Sequence, residues 1–217
     1  HTRWTYVSWA GDVYKRQKDQ LGFTVNAPYT LDDMSADAIG LLDVVGYQDA
    51  HVIGFSMGGM LAQQISAQYP QRVRSLTSVM STTFAKHLPP PTKAANDALT
   101  NLASGDTTEE RSQAIRDRGF YPESMPRQLM AIFKTGDRSA EVKTIAVKTL
   151  VIHGEDDGLI PLSHGEHTAE LIDNSEIVIF PGMGHNIPED ILPNMLERII
   201  SHMKTADYVA ANIESHH

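Results

Sequence analysis

The stretch His51-Val52-Ile53-Gly54-Phe55-Ser56-Met57-Gly58-Gly59-Met60-Leu61-Ala62-Gln63-Gln64 decides how the rest of the chain reads. Val52 to Phe55 form a short run that is apolar on both faces, as a central strand of a parallel sheet should be. From Met57 a helical pattern runs on without a break. Between them, Gly54-x-Ser56-x-Gly58 has the spacing of a nucleophile elbow, with the serine at the tip of a strained strand-to-helix turn. Side chains two positions either side of that tip would collide, so Gly54 and Gly58 are expected to leave the room the strain needs. The helix that follows aims its free N–H groups and positive dipole end at the space where an oxyanion would form.

Working outward, Thr30 opens a helix, with Asp33 three residues on as a shortened capping box. Met34, Ala38, Leu41, Leu42 and Val45 then fall on one face, and Gly46 stops it. Residues 1–25 follow neither period, although Thr5-Tyr6-Val7-Ser8-Trp9 could form a strand, and the run Gly11 to Gln17 looks like translated sequencing-adaptor read-through. After the elbow, a helix over 57–69 ends at Tyr69-Pro70, and Val73 to Met80 reads as the next strand. A strand-helix-strand unit this short demands parallel pairing with a right-handed crossover.

From Ser81 the character changes. Leu88-Pro89-Pro90-Pro91 marks a boundary, and residues 93–145 read as three or so short, polar helices without a strand between them. Residues 83–145 are therefore expected to form a helical cap inserted between two halves of a core, 26–82 and 146–206. The second half predicts a strand over 147–153, a helix over 163–172, a strand over 176–180 and a closing helix near 189–206. That helix should bury Ile191, Met195, Ile199 and Met203, and residues 207–217 read as a polar, frayed tail.

Composition narrows the functions available. A length of 217 residues with 41% hydrophobic content suits one domain with a small insertion. The formal net charge of −9 argues against nucleic acid or an anionic membrane as a partner. Without cysteine there is no thiol nucleophile, disulfide or thiolate metal site. That fits a reducing compartment, and with neither an 18-residue apolar run nor a signal-type N-terminus the expected location is cytoplasmic.

Ser56 alone is a poor nucleophile and needs a base delivered from elsewhere. Open parallel sheets gather functional groups at the carboxyl ends of their strands. Loops there carry Ser56, then the acids Glu155, Asp156 and Asp157, then His185 in Pro181-Gly182-Met183-Gly184-His185-Asn186. Serine, acid, histidine is the chain order that an elbow-type triad requires. His153 ends a strand and reads as a packed structural residue, while His164-x-x-His167 reads as a solvated helix face rather than a metal site.

Tyr29-Thr30-Leu31-Asp32-Asp33-Met34, Gly54-Phe55-Ser56-Met57-Gly58-Gly59-Met60, Val151-Ile152-His153-Gly154 and Gly182-Met183-Gly184-His185 together resemble the α/β-hydrolases. Within that superfamily the chain is similar to ester hydrolases of the aclacinomycin methylesterase type. The resemblance covers roughly residues 28–205 and implies an α/β fold, a mostly parallel sheet with helices on both faces and a small cap. It implies Ser56 as nucleophile, His185 as base and the backbone N–H of Met57 as an oxyanion donor. In similar hydrolases the working carboxylate stands four residues before the loop proline, as Asp157 does before Pro161, with Asp156 the alternative. No cofactor and no metal are implied, and the substrate is a small-molecule ester.

One feature departs from that pattern. The second oxyanion donor usually follows an early strand marked by His-Gly, and no His-Gly or Gly-Gly precedes Ser56. Only 55 residues stand ahead of it, and the chain begins at His1, so an N-terminally truncated domain is expected. Its strand 51–55 would lie at a sheet edge with Val52, Ile53 and Phe55 uncovered, inviting self-association and weakening activity. Two other readings use the same residues: a cofactor-free perhydrolase or haloperoxidase, and a non-catalytic hydrolase domain.

Overall fold

The computed structural model describes residues 29–103, 113, 116, 117 and 125–214. The N-terminal segment 1–25, with its strand reading at Thr5–Trp9, lies outside the described residues, as do 26–28, part of the cap and 215–217.

Thr30 caps α1 (Leu31–Val44) through a reciprocal box: its hydroxyl accepts from the Asp33 N–H, and the Asp33 carboxylate accepts from the Thr30 N–H at 2.7 Å. Gly46, at φ 82°, ends the helix as expected. The buried face differs from the predicted one. Leu31, Met34 and Ser35 are buried, whereas Leu41 and Val45 are exposed. The reason is position: the start of α1 is tied down where Gln64 and Gln68 both donate to Asp32, and the far end runs past what it packs on.

β1 (Ala50–Phe55), β2 (Val73–Val79), β3 (Thr149–Gly154) and β4 (Ser175–Phe180) form a wholly parallel sheet in the order β1-β2-β3-β4. Their carboxyl ends are in register, with Phe55 beside Val79, Val79 beside Ile152 and Gly154 beside Phe180. The loops after β1, β3 and β4 therefore leave from one edge of the sheet.

Helices cover both faces. α2 (Met57–Gln68) packs on β1 and β2, and α6 (Leu162–Leu171) packs on β3 and β4. α7 (Leu192–Glu214) lies on the opposite face and runs beyond the predicted end near residue 206. Met195, Ile199 and Met203 are buried there against Val79, Leu150, Ile152 and Phe180. Full burial of a side chain of this size is worth about 1.5–3 kcal/mol. Ile191 is only partly buried and precedes the helix.

In the cap region, the described residues include α3 (Lys93–Ala103), α4 (Met125–Thr135) and the single turn α5 (Ser139–Val142), with no strand among them. Ile132 and Leu129 of α4 join Leu31, Met60 and Ile160 in one apolar cluster. This cluster seats α4 against both α1 and the helix that follows the elbow. Among the described residues β1 is an edge strand, and its Ile53 and Phe55 are each 37% exposed. Val52 is not uncovered as expected, because it points to the other face and packs between α1 and α2.

Candidate active site

Ser56 occupies the turn between β1 and α2 with φ 54° and ψ −118°, a conformation that costs a non-glycine residue about 1–3 kcal/mol. The surrounding chain enforces it. The Ser56 N–H donates to Val79 O at 2.8 Å, and Ser56 O accepts from the Gly59 N–H at 2.9 Å. A serine before a helix normally caps it with its hydroxyl. Here the strained backbone turns Oγ away, and no side-chain cap bond forms.

The glycines that permit this are not the pair the motif suggests. A Cβ on Gly54 would stand 1.9 Å from Gly58 O, and one on Gly59 would stand 2.5 Å from the Ser81 Cβ. A Cβ on Gly58 would meet open space. Gly54 and Gly59 therefore carry the close approach. The tight contact runs from α2 to the chain just past β2, a neighbour that a local pattern does not reveal.

The acid loop is pinned to the histidine loop by Glu155 N–H to Phe180 O at 3.1 Å and Asp156 N–H to Met183 O at 3.0 Å. These bonds separate the candidate acids. Glu155 and Asp156 are exposed, whereas Asp157 turns inward and is 4% exposed. One Asp157 oxygen accepts from the N–H groups of Leu159 at 2.9 Å and Ile160 at 2.8 Å. The other lies 2.7 Å from His185 Nδ1. Burial pushes this carboxyl up, but the bonds from His185, Ile160 and Leu159 outweigh it, and its pKa falls below the usual value. An ionised Asp157 can only accept, so Nδ1 of His185 carries the proton.

His185 Nε2, left with its lone pair, stands 2.9 Å from Ser56 Oγ. It can take the proton of Ser56 and return it later, which is the geometry of acyl transfer. α2 begins at Met57, so the N–H groups of Met57 and Gly58 have no intrahelical acceptor and sit beside Ser56. Among the described residues no strand precedes β1, and no second donor from a loop after an earlier strand is seen.

The remaining histidines are tied elsewhere. His153 is 0% exposed, donates from Nε2 to Ile160 O at 2.8 Å and is shifted down by burial first. It braces the acid loop. His164 bonds Thr82 Oγ1 and Pro89 O, and His167 bonds Thr83 Oγ1, so the cap-proximal chain occupies both rings. Among the described residues no three His, Asp or Glu side chains are placed to hold a metal ion.

The motif reading missed Arg138, a fully buried guanidinium behind α2 whose partners are mainly backbone carbonyls. No local pattern marks such a residue. It also missed the positive φ of Phe84 (64°), whose ring packs edge-on against Phe133 of α4 at 5.7 Å.

A family model described as alpha/beta hydrolase fold matches residues 14–107. The 2-hydroxymuconate semialdehyde hydrolase of Pseudomonas putida is 28% identical, over 77% of this chain and 68% of its own length. Rhodomycin D methylesterase DnrP of Streptomyces peucetius is 24% identical, over 82% of this chain and 75% of its own. A solved meta-cleavage product hydrolase from Pseudomonas fluorescens superimposes with a TM-score of 0.63 at 22% identity, covering 85% of this chain and 74% of that one. The parallel sheet, the elbow and these likenesses converge: the chain has the α/β-hydrolase fold and resembles the ester hydrolases that share it.

Proposed function

We propose that the protein is a serine hydrolase that cleaves carboxylic esters of small molecules through an acyl-enzyme. Ser56 Oγ attacks the ester carbonyl carbon while its proton passes to His185 Nε2. The carbonyl oxygen takes up the negative charge beside the Met57 N–H. When the tetrahedral intermediate collapses, the alcohol leaves with the proton from His185, and the acyl group stays on Ser56. Water then attacks the acyl carbon, gives a proton to the same ring, and releases the acid and free Ser56. Asp157 holds the ring in the working tautomer and offsets the imidazolium charge without taking the proton.

The observation that supports this reading is the unbroken chain of bonds from Asp157 through His185 to Ser56, at 2.7 and 2.9 Å. The methylesterase likeness favours an ester as the substrate class.

The test is hydrolysis of a short p-nitrophenyl ester together with labelling by a fluorophosphonate, which reacts only with an activated serine. Ser56→Ala should abolish both and leave the circular dichroism unchanged. A variant that keeps wild-type turnover removes Ser56 from the mechanism. Running the assay with and without hydrogen peroxide separates hydrolysis from perhydrolysis.

A further inference from the structure

The cap rejoins the core through a cation that forms no ion pair among the described residues. Arg138, which follows α4 and opens α5, is 2% exposed. Its guanidinium donates to Met60 O at 2.8 Å, to Gln63 Oε1 at 3.0 Å and to Thr82 O. Its backbone N–H donates to Thr83 O at 2.9 Å. Every one of these acceptors is neutral, and no ion pair to Arg138 is found among the described residues. Burial lowers its pKa to about 10, against the longer-range pull of Glu141 and Asp137, so it stays charged at neutral pH.

Burying a guanidinium without a counter-ion opposes folding, and an apolar side chain of similar volume would escape that cost. Its surroundings point to a use for the charge. Met60 lies in the first turn of α2, the turn whose free N–H groups stand beside Ser56. Gln63 passes the link on to Ser78 Oγ of β2 at 3.0 Å. Three residues of helix rise and the bond to Met60 O put the guanidinium on the order of 10 Å from the Met57 N–H, behind the buried stretch 59–66 of α2.

Resting on the hydrolytic reading above, we propose that Arg138 is a positioning residue for the oxyanion. Its charge, held behind the first turn of α2, raises the positive potential at the Met57 N–H, and its bonds fix that turn against the base of the cap. At an effective dielectric constant of about 20, a unit charge at this distance changes the rate by on the order of ten-fold.

The experiment compares wild type, Arg138→Met and Arg138→Lys for kcat and KM on a p-nitrophenyl ester across pH 6–10, with fluorophosphonate labelling and thermal unfolding alongside. Arg138→Met fills the volume without a charge, and should lose about ten-fold in kcat while KM changes little. A buried lysine gives up its proton more readily than an arginine. Arg138→Lys should therefore approach wild-type kcat at the acid end and fall away at a pH where wild type still holds its rate. If Arg138→Met does not fold, this pH divergence decides alone, and profiles that rise and fall together overturn the proposal. Turnover that follows melting temperature irrespective of charge also overturns it. A reactive wild type with an equally reactive Arg138→Met defeats the role of Arg138 only. A wild type inert to both ester and fluorophosphonate defeats the hydrolase reading, and this one with it.

Discussion

Two N–H groups and one imidazole converge on Asp157, while the neighbouring Asp156 carboxylate stays in solvent. An asparagine at 157 would place an amide against His185 Nδ1 and favour the tautomer in which Nε2 already carries a proton. That ring could no longer accept from Ser56. The same change in a serine protease lowers turnover about 10⁴-fold, which sets the scale expected for Asp157→Asn. Asp156→Asn should stay within a few-fold, because only its backbone contacts the histidine loop. Measuring kcat/KM for both settles the assignment, since equal losses would leave Asp157 without a special role. At this scale much of the candidate site was legible, because Ser56 sits between Gly54 and Gly58 and His185 follows Gly184, while the preference for Asp157 over Asp156 came from the chain's resemblance to hydrolases whose acid stands four residues before the loop proline. Arg138 was not legible, since what defines it is the company of Met60 O and Thr82 O.

The elbow was legible as an element, but not its close contact with the chain past β2. A methyl group on Gly59 would overlap Ser81 and one on Gly58 would overlap nothing, although the motif names Gly58. Gly59→Ala should therefore destabilise the fold by about 1–3 kcal/mol, the range for overpacking. Gly58→Ala should be neutral or gain up to about 1 kcal/mol from helix propensity. Urea unfolding of both proteins reads this directly, and the reverse order would place the close approach elsewhere. The same limit shows in α1. Its cap at Thr30 and its stop at Gly46 are chemistry of neighbouring residues and were readable. Which half of its apolar face is covered depends on where α2 and α4 lie, and Leu41 and Val45 stay exposed.

For the whole molecule, histidine burial sets a common direction. His51, His153, His164, His167 and His202 are all shifted down, with burial the largest cause in each. His202 of α7 moves to about 4 from 6.5, donating to Leu76 O at 3.1 Å. Its neutral form belongs to the folded state, so the unfolded chain takes up the proton first as pH falls. Its contribution is therefore intact above about pH 6.5 and drains away towards about pH 4. Between pH 7 and pH 5 that loss is on the order of 2 kcal/mol from this group alone. Urea midpoints at the two pH values should converge in His202→Gln relative to wild type, and an unchanged gap would exclude His202 as a source. By itself, the sequence determined the parallel strand-helix-strand order and the elbow, because periodicity and turn chemistry are local, while its resemblance to the α/β-hydrolases implied Ser56, His185 and an acid at Asp157 or Asp156. Only the tertiary structure decided that Asp157 turns in and Asp156 out, that Gly59 rather than Gly58 is close-packed, that Val52 is partly covered while Ile53 and Phe55 are exposed, and that Arg138 stands behind α2. Burial and close approach are set by residues distant in the chain, and a sequence pattern carries no record of which of them will meet.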